Sequence, residues 1–146
     1  MKVAELMKKI VFTVSMDASV KECGGLIEKH NVNGLPVMDG DQVVGIVTRA
    51  DIFKSILPTY FEVYINETYL TDIESIEERI SKINELKVKD IMTPNPQTID
   101  QNTPLVKAGS LMILRKVKQM PVIEDGKLVG IITLTDICRN FLKRVE

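Results

Sequence analysis

The two halves of this chain carry the same succession of apolar and polar positions. Each half has a short extended stretch, then apolar residues spaced three and four apart as on one face of an α-helix. Two short apolar runs typical of strands follow, and a second helical stretch ends the half. The pattern predicts the order β-α-β-β-α twice. The helical positions are Val20, Cys23, Leu26 and Ile27, then Leu105, Ala108, Leu111 and Met112, and the strand runs are residues 35–38, 43–47, 120–123 and 128–132.

The similarity between the halves is an internal repeat. Residues 3–57 align with residues 88–142 without a gap at a constant offset of 85, so that Pro36 matches Pro121. A duplication of this kind dictates how the whole fold is interpreted. Each β-α-β-β-α unit leaves one sheet face uncovered, and packing the units about a pseudo-twofold axis removes that face from water. We therefore predict an α+β fold of two such repeats.

The repeat divides the chain into three regions. Residues 1–57 form the first repeat, residues 58–87 an inter-repeat segment and residues 88–146 the second repeat. Asp-Gly pairs between apolar runs predict hairpin turns at residues 39–41 and 124–127. The predicted helix caps are Asp17 or Ser19, then Asn102 or Thr103 with Pro104 as the first helical residue, and the last helix of each repeat is predicted to start at Asp51 or Asp136.

Composition narrows the class of protein. Hydrophobic residues make up 45% and charged residues 27% of the chain, which excludes a disordered or membranous protein. No apolar run approaches the roughly 18 residues that span a bilayer, and the first residues lack the apolar core of a signal peptide. We expect a cytoplasmic protein without a membrane partner. A net charge of -1 provides no basic field for a phosphate backbone, so we expect no nucleic-acid partner either.

Residues that carry catalysis or bind metal are sparse. Cys23 and Cys138 belong to no ligand cluster and are expected to be small buried side chains. His30, the only histidine, falls at the end of the first long helix, where a helix-terminal cation or a surface residue is expected. There is no phosphate loop and no nucleophile elbow. We therefore predict no enzyme activity, no catalytic residue, no metal site and no required cofactor.

Three motifs, each present twice and in the same order, make the chain resemble the cystathionine-beta-synthase (CBS) domain family, which occurs as tandem pairs. The likeness implies a CBS pair, or Bateman module, that regulates an attached or partnering protein. It also implies an adenosine-containing regulatory ligand such as AMP, ADP, ATP, NAD or S-adenosylmethionine, bound in clefts between the repeats. The motifs are the leading segments at residues 3–7 and 88–93, the Pro-Val strands at residues 35–38 and 120–123, and Gly-Ile-x-Thr-x-x-Asp at residues 45–51 and 130–136.

The Thr-x-x-Asp pairs, Thr48 with Asp51 and Thr133 with Asp136, are the strongest candidates for ligand contact. An ionised aspartate accepts hydrogen bonds from the two ribose hydroxyls, and a threonine hydroxyl both donates and accepts. The same spacing is also that of a helix capping box. The two interpretations are compatible, because a helix N-terminus attracts phosphate.

The resemblance implies two pockets in which the Thr-x-x-Asp turn of one repeat faces the first-strand and Pro-Val regions of the other. Backbone groups around Phe12 and Gln97 would contact the adenine edge, and Val32 and Val117 would pack on its ring. Pocket one would join Thr133 and Asp136 to Phe12, Thr13, Val32 and Asn33, and pocket two would join Thr48 and Asp51 to Thr93, Gln97, Thr98, Val117 and Lys118.

Charge distinguishes the two predicted pockets. Arg49 and Lys118 are expected near pocket two, whereas pocket one could recruit Lys8 or Lys9 from the first helix. A guanidinium offers phosphate a planar pair of donors, which favours pocket two as the anion site. A solvated surface position is the alternative for each of these cations. Leu134 stands where Arg49 does in the first repeat, so the pockets are not equivalent.

The segment of residues 58–87 lies outside the repeat. Its four aromatic residues lie between positions 60 and 69, and isoleucines at helical spacing follow, accompanied by acidic residues. A helix or helical hairpin packed on the module is one interpretation. A dimer contact, or a lid whose tyrosine stacks on a base, is the other. The residues are Tyr60, Phe61, Tyr64 and Tyr69, then Ile73, Ile76, Ile80 and Ile83.

Two functions of different class remain after these steps. The first is a ligand-sensing module that signals through an unidentified effector protein and self-associates as a homodimer. The second is a scaffold that keeps the CBS fold for protein interaction and binds no nucleotide, its Thr-x-x-Asp pairs serving only as caps.

Overall fold

The computed structural model describes residues 1–57 and 73–145, and the side chains of residues 73–76 fall outside that description. The fold is α+β, as predicted, with one sheet in the strand order β1-β2-β3-β4 and another in the order β5-β6-β7. The strands are β1 Val14–Ser15, β2 Gly34–Asp39, β3 Gln42–Thr48, β4 Thr93–Pro94, β5 Ile99–Asp100, β6 Gln119–Glu124 and β7 Lys127–Thr133. The helices are α1 Val3–Leu6, α2 Val20–His30, α3 Arg49–Lys54, α4 Ile73–Lys82, α5 Val88–Ile91, α6 Leu105–Arg115 and α7 Leu134–Leu142, with a 3-10 turn at Ile83–Glu85.

The chain forms two compact units that do not coincide with the sequence repeats. The Asp136 unit consists of Met1–Phe12, Gly40–Val43 and Asn95–Glu146. The Asp51 unit consists of Thr13–Asp39 and Val44–Pro94. Each leading segment therefore belongs to the unit built around the other repeat.

Residues 88–94 are an exchanged segment, meaning a leading segment that belongs to the unit of the other repeat. They contribute to the core of the Asp51 unit. Val88 of α5 is fully buried in the same apolar cluster as Val14 and Val47. The Val88 N–H donates to the Ala18 carbonyl at 2.9 Å. Strand β4 then pairs antiparallel with β3. The segment therefore supplies both core volume and a fourth strand.

The Asp136 unit repeats this arrangement with the first residues of the chain. Val3 of α1 is fully buried among Leu105, Met112 and Ile132. Lys8 and Ile131 exchange backbone hydrogen bonds at 2.9 Å in each direction, as an isolated antiparallel bridge. This bridge is the counterpart, at the offset of 85, of the pairing between Thr93 and Ile46.

Two motif glycines admit the exchanged segments. A Cβ on Gly130 would lie 2.6 Å from the Met7 sulfur and 2.9 Å from the Lys8 carbonyl oxygen. A Cβ on Gly45 would meet Met92 and Thr93 at the same two distances. No side chain fits at such distances, so glycine is required where the leading segment crosses each strand.

Three details differ from the sequence predictions. Helix α6 has Pro104 as its N-cap without a side-chain cap, because Pro104 has extended backbone angles (φ -60°, ψ 140°). Helices α3 and α7 begin two residues earlier than predicted, because Thr48 and Thr133 cap them. Cys23 is buried as predicted, but Cys138 is exposed, so its prediction as a buried side chain is wrong.

Helix α4 confirms the helical character predicted for the isoleucine-rich part of the inter-repeat segment. The aromatic residues at positions 60–69 lie outside the described residues, so the lid and dimer interpretations stay predictions. Among the helices that the structure describes, none has the length and apolarity required to cross a bilayer.

Candidate functional site

Residues 48–51, the first acidic turn, form a reciprocal capping box at the start of α3. The Asp51 N–H donates to Thr48 Oγ1 at 3.3 Å, and the Thr48 N–H donates to Asp51 Oδ2 at 2.9 Å. The Thr48 hydroxyl also reaches Asp51 Oδ2, at 3.1 Å. The two bonds that the carboxylate accepts both use its Oδ2 atom. Within the described residues, no hydrogen bond or ion pair reaches Asp51 Oδ1.

Residues 133–136, the second acidic turn, occupy the matching position at the start of α7. The Asp136 N–H donates to Thr133 Oγ1 at 3.1 Å, and the Thr133 hydroxyl donates to Asp136 Oδ2 at 2.7 Å. Only 11% of the Asp136 side chain is exposed. Both turns thus have a threonine N-cap whose hydroxyl contacts the aspartate, but the reciprocal bond from the threonine N–H to the carboxylate is formed in the first turn and not in the second.

The loop after each long helix lies beside the acidic turn of its own repeat. Asn31 and Lys116 have positive φ, 49° and 57°, and end α2 and α6. The Arg49 N–H donates to the Asn33 carbonyl at 3.1 Å, and the Leu134 N–H donates to the Lys118 carbonyl at 2.9 Å. Asn33 is therefore fixed next to Thr48, and Lys118 next to Thr133.

Two cations form ion pairs with the aspartate of the second acidic turn. Lys8 Nζ lies 3.6 Å from Asp136 Oδ2. Arg139 Nη1 lies 3.4 Å from Asp136 Oδ1. Lys8 was among the candidates from the sequence. Arg139 was missed, although its spacing of three residues on the same helix is a signal for ion pairing.

The first acidic turn has a different electrostatic setting. Arg49 Nη2 pairs with Glu28 Oε1 of α2 at 3.5 Å, and both side chains are largely exposed. The cation expected to favour phosphate at pocket two is thus held by an acidic residue that the sequence interpretation did not include. The matching residues of the second repeat are apolar, Leu134 in place of Arg49 and Ile113 in place of Glu28.

The carboxylate of Asp51 also affects a neighbouring thiol. Burial, followed by the charges of Asp51 and Glu22, raises the pKa of the Cys23 thiol from 9.0 to about 11. A thiol with that pKa stays protonated at neutral pH and is a poor nucleophile. Cys23 therefore acts as a packed core side chain.

The predicted pocket residues are divided between the two units, so the joining of each pocket across the units stays a prediction. Thr93, Gln97 and Thr98 are exposed, as is Phe12 at 40%. Among the described residues, no group of three or more potential metal ligands lies together. The Asp136 unit holds Phe12, Gln97, Thr98, Val117, Lys118, Thr133 and Asp136, and the Asp51 unit holds Thr13, Val32, Asn33, Thr48, Arg49, Asp51 and Thr93.

Comparison with protein families finds one model along the chain. The CBS domain model matches twice, at residues 3–58 and at residues 88–143. A CBS domain-containing protein of Dictyostelium discoideum is 30% identical over 146 residues, covering 99% of this chain and 93% of that protein. The resemblance inferred from the repeated motifs is confirmed.

Solved structures show the same fold. CBSX2 in complex with AMP superposes with a TM-score of 0.75 at 28% identity, covering 99% of this chain and 98% of that one. The CBS domain pair of protein MJ0100, in complex with 5′-methylthioadenosine and S-adenosylmethionine, gives a TM-score of 0.75 at 27% identity over 99% of this chain and 98% of that one. An inosine-5′-monophosphate dehydrogenase of Korarchaeum cryptofilum is 32% identical over 128 residues, but the matched region is 21% of that enzyme.

Proposed function

Because this chain belongs to the CBS domain family, we propose that it is a regulatory module without catalytic activity that binds an adenosine-containing ligand at its acidic turns. AMP, ADP, ATP, NAD and S-adenosylmethionine are the candidate ligands. The likeness to structures that contain AMP, or 5′-methylthioadenosine with S-adenosylmethionine, supports this ligand class.

The observation that carries the proposal is the conformation of the two acidic turns. In each turn the aspartate and threonine side chains are fixed against one another at a helix N-terminus. In the first turn, the capping box leaves Asp51 Oδ1 without a partner among the described residues. An ionised carboxylate accepts hydrogen bonds from vicinal hydroxyls, and the helix N-terminus attracts a phosphate.

Titration calorimetry of the full chain against AMP, ADP, ATP, NAD and S-adenosylmethionine tests the proposal. At least one compound should bind, and Asp51→Ala or Asp136→Ala should weaken it at the turn that is lost. A ligand that binds only the folded state also raises stability, by about 2.7 kcal/mol at a hundredfold excess over Kd. Absence of binding by every compound would refute the proposal.

A capping control separates binding from stability. Ser19 caps α2 by accepting a hydrogen bond from the Glu22 N–H at 3.0 Å, outside the acidic turns. Ser19→Ala should lower the melting temperature while leaving the ligand-induced rise unchanged. The aspartate variants should lower both quantities.

The scaffold function is the second candidate, and the complete capping box of Thr48 and Asp51 is the observation that favours it. If the box is the whole role of these residues, Asp51→Ala lowers stability by about 1 kcal/mol with or without any adenosine compound. Calorimetry and thermal unfolding on the same samples therefore decide between the two functions.

The homodimer also stays a proposal, and the outer face of α6 supports it. Val106, Ile113 and Leu114 are exposed by 67%, 67% and 77%. The matching positions of α2 are the charged residues Lys21, Glu28 and Lys29. A large apolar face that the repeat does not require is typical of an interaction surface. Sedimentation should give a dimer that Ile113→Glu dissociates, and a monomer at all concentrations would contradict it.

We also propose that the module passes its signal to an effector protein. Cytoplasmic location and the absence of nucleic-acid and membrane partners remain predictions from the sequence.

A further inference from the structure

We propose that Lys8 makes the second acidic turn selective for phosphorylated adenosine ligands, while the first acidic turn discriminates less between phosphorylated and neutral ones. The inference rests on the proposed function and deepens it, because it assigns a ligand class to each turn. Lys8 is a specificity residue in this scheme.

Asp136 is engaged through both of its carboxylate oxygens. Its Oδ2 atom accepts from the Thr133 hydroxyl at 2.7 Å and lies 3.6 Å from Lys8 Nζ. Its Oδ1 atom lies 3.4 Å from Arg139. With only 11% of the side chain exposed, a neutral ribose has to displace a cation from a mostly desolvated carboxylate, which is costly.

A phosphate on the ligand changes the ion pairing of Lys8. The Lys8 side chain is 62% exposed, while its backbone is held by mutual hydrogen bonds with Ile131. A phosphate near this turn offers the Lys8 ammonium a new anionic partner. The ribose hydroxyls can then donate to the Asp136 carboxylate without leaving Lys8 unpaired. A hydrogen bond between an ammonium and a phosphate is charge-assisted and therefore stronger than one between neutral groups.

The first acidic turn has no lysine in the place of Lys8. Thr93 occupies the position that matches Lys8, since its pairing with Ile46 corresponds to that of Lys8 with Ile131. Among the described residues no cation forms an ion pair with Asp51, and Arg49 pairs with Glu28. A neutral adenosine ligand therefore meets no ammonium competing for Asp51.

The test isolates each turn by removing the other aspartate. Calorimetry on Asp51→Ala reports the second turn and on Asp136→Ala the first, with AMP and adenosine as probes. The ratio of the adenosine Kd to the AMP Kd should be larger for the second turn. Lys8→Thr, added to Asp51→Ala, should reduce that ratio about tenfold, and Lys8→Arg should preserve it.

The reciprocal exchange completes the design. Thr93→Lys, added to Asp136→Ala, should raise the ratio at the first turn by a similar factor. Lys8→Thr should fold normally because its side chain is exposed, and circular dichroism with thermal unfolding checks this. An unchanged ratio in Lys8→Thr overturns the inference while leaving the proposed function intact. Failure of both probes to bind the unmodified chain overturns the inference, and the proposed function falls with it only if ADP, ATP, NAD and S-adenosylmethionine also fail to bind.

Discussion

The two acidic turns have the same motif and the same threonine N-cap, but different electrostatic surroundings. Asp136 is paired with two cations, whereas Asp51 has a carboxylate oxygen without a partner among the described residues. The differences come from single positions other than the threonine and the aspartate, Lys8 against Thr93 and Leu134 against Arg49. A duplicated motif therefore specifies local geometry, while its neighbours specify what charge the site accepts.

The largest expected effect concerns the exchanged leading segments. A fragment of residues 13–94 contains every element of the Asp51 unit, including α5 and β4, and should unfold cooperatively. A fragment of residues 1–87 has similar length but lacks α5 and β4, so its core cluster loses Val88. We expect it to be mostly unfolded, because the exchanged segment supplies core volume and a strand. Urea unfolding followed by circular dichroism measures the stability of both fragments. Equal stability would contradict the assignment of α5 and β4 to the Asp51 unit.

A smaller effect is expected where the leading segments cross the glycines. Gly45→Ala and Gly130→Ala should each reduce the free energy of unfolding by about 1–3 kcal/mol, because the added methyl displaces a methionine and backbone. Gly25 is the matched control, since nothing lies within 4 Å of a Cβ there. Gly25→Ala lies within helix α2 and should instead increase stability by about 0.5–1 kcal/mol. Denaturant unfolding measures all three, and a tolerated Gly130→Ala would show that the crossing is loose.

The caps of the two turns should contribute about equally. Thr48→Ala and Thr133→Ala each remove an N-cap oxygen and should cost about 1 kcal/mol. Thr135, exposed in the first turn of α7, is the control, and Thr135→Ala should change stability by less than about 0.5 kcal/mol. Costs that differ strongly between Thr48 and Thr133 would show that the turns are not equivalent even in stability.

The smallest effect concerns the two thiols. Cys138 should react readily with iodoacetamide at pH 8, whereas Cys23 should react only after unfolding, because it is buried and its pKa is raised to about 11. A raised pKa means that the thiol stays protonated to a higher pH in the folded state than in the unfolded state. The stability contributed by the protonated thiol is therefore complete below pH 9.0 and is lost as the pH rises toward 11.

Mass spectrometry of labelled peptides locates the modified cysteine. In the control variant Cys138→Ser, Cys23 is the one remaining cysteine. Labelling of Cys23 in the folded protein at the rate of Cys138 would contradict its buried, protonated state.

The part of the site that could be predicted is the part with a local signature. Thr48 and Asp51, with their counterparts Thr133 and Asp136, were identified from spacing, and the capping interpretation of that spacing matches the hydrogen bonds. The roles of Arg49 and Glu28 could not be predicted, because their contact joins two helices that are separated in sequence. How the pocket residues of different units combine also lies beyond local pattern.

The amino-acid sequence by itself determined the duplication, the order β-α-β-β-α and the two acidic turns, since periodicity and capping act over a few residues. Only the tertiary structure decided which unit each leading segment joins. Met7 and Met92 are the same residue type, and so are Gly45 and Gly130, so the short-range signals at the two strand edges are alike. The choice depends on long-range packing of Val3 and Val88 in their cores, and it brings Lys8 to Asp136.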